Sequence, residues 1–191
     1  MVRSVRIALP PLLLLLFTGL ARADLNFTFQ TSEFDLDGVK LQQLVFADGN
    51  RQITYTPPRG WQYFGDQDRL RLLPPAGQPG DAAVTRTKLL QPQVFDDATM
   101  KRLTEEVIAS LPAGARRASV TAQEKNAVQI ERKETFMVTV NFELYGMTQT
   151  RSVLFLNRDT EQIRFQFTCQ QPAFPKLQKQ FFASHFSWQN L

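Results

Sequence analysis

The chain has 191 residues, a formal net charge of +4, one histidine and one cysteine. This length suits a single domain. A lone cysteine excludes an intramolecular disulfide, and a lone histidine excludes a multi-histidine metal site. The basic residues stand singly or in pairs, so the clustered basic face that a nucleic-acid partner requires is not predicted.

Residues 1–23 have the organisation of a secretory signal peptide. Arg3 and Arg6 precede a short apolar stretch, which ends in a small-residue cleavage site at Ala23. The stretch is interrupted by proline and is too short for a spanning helix of roughly 20 residues. We therefore expect cleavage after Ala23, a periplasmic or secreted location, no membrane anchor in the mature protein, and one domain at residues 24–191. Cleavage would remove three of the 22 basic residues and leave 19 against 18 acidic ones.

Short extended segments between proline- and glycine-containing turns predict β-strands in the first half of this domain. The sequence Asp48-Gly49-Asn50 predicts a hairpin between two of them. The predicted strands cover residues 25–30, 41–47, 52–55, 61–64, 70–73 and 83–90.

Apolar residues at helical spacing predict an amphipathic helix that begins at Asp97. A carboxylate at Asp96 or Asp97 can cap the first turn. Pro112 ends the helix because proline cannot continue its hydrogen-bond ladder. The apolar face comprises Met100, Leu103, Val107, Ile108 and Leu111.

Alternating apolar and polar residues predict an antiparallel meander in the second half. Its strands are expected at residues 128–130, 136–144, 148–157 and 162–169. A second amphipathic helix is predicted from Pro172 to about His185, since proline is favourable at a first helical position. Strands with helices packed on them indicate an α+β fold with a central antiparallel β-sheet sandwiched by α-helices.

A turn motif, Tyr55-Thr56-Pro57-Pro58-Arg59-Gly60-Trp61, lies in the first half of the domain, and a late strand at residues 163–169 leads to a closing helix that ends in Phe186-Ser187-Trp188. This motif and this order of elements resemble the PsbP-like superfamily. The superfamily includes the extrinsic photosystem II protein PsbP, the Ran-binding Mog protein and several bacterial envelope proteins. The resemblance implies a PsbP-like α/β/α sandwich, in a family whose members mostly bind other proteins or support assemblies and are not enzymes.

Four residues around this turn are candidates for a binding surface: Arg59, Trp61, Tyr63 and Arg69. Aromatic residues and arginine dominate interaction hot spots, which is why this mixture suits a binding surface. For Trp61 itself the pattern favours a position in the core between sheet and helix, with Gly60 serving the geometry of the turn.

No residue pattern predicts a catalytic site. His185 near a helix end favours a structural position, and Cys169 falls on the apolar register of its strand, which favours a buried thiol. Paired carboxylates such as Asp66 and Asp68 fit turns better than a calcium loop. We therefore expect no enzyme activity, no metal and no cofactor.

The sequence thus predicts an exported, soluble cell-envelope protein that acts as a non-enzymatic binding module for an unidentified protein or small ligand. The alternative is a secreted inhibitor or immunity-type protein that neutralises an envelope hydrolase or toxin. A small hydrolase that uses two carboxylates is a third hypothesis.

Overall fold

The computed structural model describes residues 25–191, apart from the side chain of Leu36. The predicted signal peptide at residues 1–23 lies outside the described residues. Within residues 25–191, no helix has the length and apolar character needed to cross a membrane. The elements of this part are β1 (Leu25–Leu36), β2 (Val39–Asp48), β3 (Arg51–Tyr55), β4 (Gln62–Gly65), β5 (Arg69–Leu73), β6 (Asp81–Lys88), α1 (Asp97–Ala109), β7 (Arg116–Lys125), β8 (Thr135–Leu144), β9 (Met147–Asn157), β10 (Glu161–Gln170), α2 (Phe174–Ser184) and β11 (Gln189–Asn190).

The strands form two antiparallel sheets. A four-stranded sheet has the order β1-β2-β3-β11, and a seven-stranded sheet has the order β4-β5-β6-β10-β9-β8-β7. The predicted meander is confirmed, because β8, β9 and β10 are consecutive in the chain and adjacent in the larger sheet. The predicted hairpin at Gly49 is also confirmed, since it joins β2 to β3 and Gly49 has a φ of 63°.

Helix α1 packs on one face of the larger sheet. The Asp96 side chain caps it by accepting a hydrogen bond of 2.8 Å from the Thr99 backbone N–H, as the sequence predicts. Alternate residues of β8 and β9 face the helix. The resulting core cluster contains Phe95, Leu103, Val107, Phe136, Val138, Val140, Val153 and Phe155.

The opposite face of the larger sheet packs against the smaller sheet and α2 together. Leu154 and Phe165 of the larger sheet share this core with Phe46 of the smaller sheet and Phe181 of α2. The α+β fold class with antiparallel strands is therefore confirmed, but the single central sheet is a correction. Residues 25–191 consist mostly of two antiparallel sheets, together with two α-helices.

Two segments near β7 differ from the sequence prediction. Strand β7 was not expected, because nearly all its side chains are exposed at the sheet edge and leave no apolar alternation to detect. Val128 and Ile130, expected in a strand, are buried in the connection between β7 and β8 instead. Thr135 anchors that connection by donating its hydroxyl to the Val128 carbonyl.

Gly65 allows the two sheets to approach each other. It ends β4, and a Cβ at this position would lie 2.1 Å from the Phe27 carbonyl oxygen and 2.8 Å from the Phe29 ring. We expect Gly65→Ala to lower the free energy of unfolding by about 1–3 kcal/mol, because the backbone of β1 must move. Urea unfolding would measure it, with Gln62→Ala on the exposed start of β4 as the control. Equal midpoints for the Gly65 variant and wild type would contradict this close approach.

Candidate functional site

Trp61 belongs to the core rather than to an exposed surface. It is 4% exposed, and its ring stacks on Phe181 of α2 with centroids 6.1 Å apart. Its indole Nε1–H donates to the Gln180 side chain at 3.2 Å. Trp61 thus anchors the preceding loop, residues 56–60, on α2.

This loop forms one wall of a groove whose other wall is β2. The groove comprises two adjoining cavities of about 470 and 390 Å³, which share Leu41, Thr56, Pro57, Pro58 and Arg59. We call it the β2-loop groove. The first cavity is also lined by Val39, Lys40, Gln42, Gly60, Trp61 and Tyr63, and the second by Phe34, Gln180, Ala183, Ser184 and Ser187.

The loop wall is fixed by hydrogen bonds to the C-terminal segment. The Ser187 hydroxyl oxygen accepts a hydrogen bond of 2.8 Å from the Thr56 backbone N–H. Within the loop, the Trp61 backbone N–H donates to the Pro58 carbonyl at 3.1 Å. Gly60 has a φ of 80°, which glycine adopts readily in such a turn. The groove is therefore organised before any partner arrives.

The lining of the groove is partly apolar and carries positive charge. Lys40 and Arg59 are exposed and line it, while no aspartate or glutamate lines either of its cavities in the described chain. The Tyr63 hydroxyl donates to Gln42 on β2 at 2.9 Å, and its ring packs edge-on against Phe29. This surface can accept a chain segment that carries apolar and acidic side chains.

Of the four candidate residues, the structure brings Arg59, Trp61 and Tyr63 to the β2-loop groove and places Arg69 elsewhere. Arg69 lines a separate cavity of about 690 Å³ beside Asp66. The exposed Asp66 carboxylate accepts hydrogen bonds from the backbone N–H groups of Asp68 and Arg69, and these bonds lower the pKa of Asp66. Asp66 and Asp68 thus belong to a turn, as predicted.

The second wall was missed from the sequence. Val39, Lys40, Leu41 and Gln42 belong to β2, and the mixture of exposed apolar and polar residues there gave no reason to pair them with residues 56–63. Val39 is 52% exposed, and no pattern in the sequence marks it as part of a contact surface.

His185 and Cys169 are both buried. The His185 ring is 1% exposed and lies 4.6 Å from the Phe165 ring and 4.7 Å from the Phe181 ring. Burial lowers the pKa of His185 to about 3, so the ring is neutral at physiological pH. Burial raises the pKa of Cys169 to about 11, and the prediction of a buried thiol is confirmed.

A buried ionic network surrounds Arg158, whose side chain is 6% exposed. Its guanidinium donates to Asp48 at 2.8 Å and to Glu161 at 2.5 Å, and its Nε lies 3.4 Å from Glu131. Burial lowers the pKa of Arg158, but the three carboxylates more than offset this and raise it. For the Glu161 carboxyl, burial raises the pKa, although the neighbouring Arg158 cation opposes this shift. The sequence analysis did not predict this network, because Asp48 and Glu131 are distant from Arg158 in the chain.

In the part of the chain that the structure describes, no group of three histidine, cysteine, aspartate or glutamate residues is arranged to hold a metal ion.

Comparisons with known proteins support the fold of this chain and do not identify its function. No family model and no curated protein matches the chain. A Pseudomonas aeruginosa protein of unknown function, PA94, is 14% identical, with 83% of this chain and 95% of that chain covered and a TM-score of 0.50. Cyanobacterial PsbP from Synechocystis is 10% identical, with coverages of 72% and 85% and a TM-score of 0.52. The fold is PsbP-like, as the sequence resemblance implied.

Proposed function

We propose that this chain is an exported, non-enzymatic binding module of the cell envelope, and that the β2-loop groove receives an extended segment of a partner protein. The observation that carries the proposal is the groove itself, which is preformed and partly apolar, with Lys40 and Arg59 at its surface. We also infer that α1 and the layer containing α2 correspond to the outer layers of a PsbP-like α/β/α sandwich.

The residue types in the groove suit recognition of a protein segment. Pro57 and Pro58 fix the backbone of the loop wall, so little entropy is lost on binding. Tyr63 and Arg59 are residue types enriched at hot spots. Lys40 and Arg59 both line the first cavity of the groove, and no carboxylate of the described residues lines it. The groove therefore favours a partner segment with acidic side chains.

A photo-crosslinking experiment in the native host tests this proposal. A crosslinkable amino acid at Arg59 is expected to capture one defined envelope protein, whereas the same amino acid at Arg117 is not. Arg117 is a suitable control because it lies on β7, at the opposite edge of the larger sheet from β4. If the captured protein is a hydrolase, and if binding to this protein inhibits that hydrolase, the result would support the inhibitor hypothesis.

Charge reversal at the groove gives the matching affinity prediction. We expect Arg59→Glu to weaken partner binding about tenfold or more, because it places a negative charge opposite an acidic segment. Arg117→Glu carries the same change in charge and should leave the dissociation constant unchanged. Equal affinity for both variants, measured by calorimetry with the captured partner, would contradict the assignment of the groove.

Export is tested separately. The protein recovered from the periplasmic fraction or medium is expected to begin at Asp24, as N-terminal sequencing would show. A chain that keeps residues 1–23 and stays in the cytosol would refute export without affecting the groove.

A further inference from the structure

A second cavity, of about 580 Å³, lies between the turn at residues 129–132 and the C-terminal segment. We call it the C-terminal cavity. It shares no lining residue with the β2-loop groove, and its size falls in the range of small-molecule sites. It is lined by Gln129, Ile130, Glu131, Arg132, His185, Phe186, Trp188, Gln189 and Asn190.

Three residues that line this cavity carry buried polar atoms without a hydrogen-bond partner in the described part of the chain. These are both carboxylate oxygens of Glu131, both ring nitrogens of His185 and the indole Nε1 of Trp188. His185 and Trp188 are each 1% exposed, and the Glu131 side chain is 6% exposed. Unpaired buried polar atoms are rare in native proteins, and three residues at one cavity call for a physical explanation.

Glu131 is the least satisfied carboxylate of the Arg158 network. Arg158 donates its terminal N–H groups to Asp48 and Glu161 and approaches Glu131 only through Nε at 3.4 Å. Asp48 also contacts Arg51 at 3.3 Å, so it has a second cation. A buried carboxylate that accepts no hydrogen bond favours a cationic donor.

The turn holds Glu131 in this position. Glu131 and Arg132 have φ values of 54° and 59°, and the Lys133 N–H donates to the Ile130 carbonyl at 2.9 Å. The chain therefore reverses at these two residues. Arg132 is exposed beside Glu131, so the cavity offers a guanidinium as well as a carboxylate.

We propose that the C-terminal cavity binds the ammonium group of a small primary amine, with Glu131 as its acceptor. An ammonium group has three N–H donors, which match the two Glu131 oxygens and the one acceptor nitrogen of the neutral His185 ring; the Trp188 indole N–H is a donor and is not a partner of the ammonium group. Phe186, which is 60% exposed, adds aromatic surface that attracts a cation. Arg132 would bind the carboxylate of the ligand if that ligand is an amino acid.

Three probes that share a five-carbon chain test the proposal: n-pentylamine, 1-pentanol and L-norleucine, which adds a carboxylate to the pentylamine skeleton. Nuclear magnetic resonance of the ¹⁵N-labelled protein at pH 7 would follow the Trp188 indole N–H and the backbone amides of residues 129–132. We expect n-pentylamine to shift these signals in a saturable way and 1-pentanol not to do so. Tighter binding of L-norleucine than of n-pentylamine would identify an amino-acid ligand, and weaker binding would identify a simple amine.

Glu131→Gln removes the charge at nearly constant volume and is expected to weaken n-pentylamine binding at least tenfold. Glu134→Gln is the matched control, since Glu134 lies in the same connection and forms an exposed ion pair with Lys125. If Glu131→Gln fails to fold, the wild-type titration still decides. Absence of saturable shifts with both amines, or equal shifts with 1-pentanol, would overturn the proposal, as would undiminished binding to a folded Glu131→Gln variant.

Discussion

Replacing Arg158 by methionine is expected to lower the free energy of unfolding by about 3–5 kcal/mol at pH 7, because three buried carboxylates then lose their shared cation. Asp48, Glu131 and Glu161 all lie within 3.4 Å of the guanidinium. Chemical denaturation would measure the loss. Adding Glu161→Gln should restore part of it, since that change removes one of the unpaired charges.

A matched arginine on the surface separates burial from loss of charge. Arg71 pairs with Asp81 at 2.6 Å, but both side chains are about half exposed. We expect Arg71→Met to cost less than about 1 kcal/mol. The deficit of the Arg158 variant should shrink as the pH falls toward 5, because burial raises the pKa of Glu161 and the variant lacks the cation that opposes this shift, so Glu161 takes up a proton in the folded state at a higher pH than in the unfolded chain. Equal losses for the two variants would show that the Arg158 network does not stabilise the fold.

Acidification is expected to destabilise the protein through His185. The folded-state pKa is lowered to about 3, against an ordinary value of 6.5. Between these two values the unfolded chain binds a proton that the folded chain does not. The contribution of His185 to stability is therefore fully present above pH 6.5 and is lost as the pH falls. The slope approaches about 1.4 kcal/mol per pH unit, or roughly 5 kcal/mol over the whole window.

His185→Leu isolates this contribution. Leucine has a similar volume, suits a site between phenylalanine rings, and does not titrate. Comparing wild type with the variant from pH 7 to pH 4 cancels the opposite effect of Glu161, whose raised pKa favours the folded state on acidification. Wild type should lose stability faster than the variant below pH 6.5. Parallel pH profiles would contradict a buried, neutral histidine.

The two proposed sites lie on either side of the same C-terminal segment. Ser184 and Ser187 line the β2-loop groove, whereas His185, Phe186 and Trp188 line the C-terminal cavity. Trp188 also packs on Phe46 of the smaller sheet, with ring centroids 5.9 Å apart. This segment is thus fixed in the core and gives both sites a rigid wall.

Local periodicity was sufficient to predict most of the elements. A strand or helix that buries one face has apolar residues at a regular spacing along its own sequence. This spacing is two residues in β8, β9 and β10 and about 3.6 residues in α1, so neighbouring residues were enough to predict these elements. Strand β7 was not predicted, because an exposed edge strand has no buried face. The division of the strands into two sheets was not predicted either, since hydrophobic alternation does not specify which strands pair with each other.

By itself, the sequence determined the strand and helix periods, the hairpin at Gly49, a carboxylate cap at Asp96 or Asp97, the buried thiol of Cys169 and the PsbP-like resemblance. Only the tertiary structure decided that Asp96 is the cap, that Trp61 stacks on Phe181, that β2 completes a groove with Arg59 and Tyr63, and that Arg69 lies apart. It also decided the Arg158 network, in which Asp48 is 110 residues away along the chain. The physical reason is that periodicity is a property of consecutive residues, whereas a groove or an ionic network depends on long-range contacts between strands.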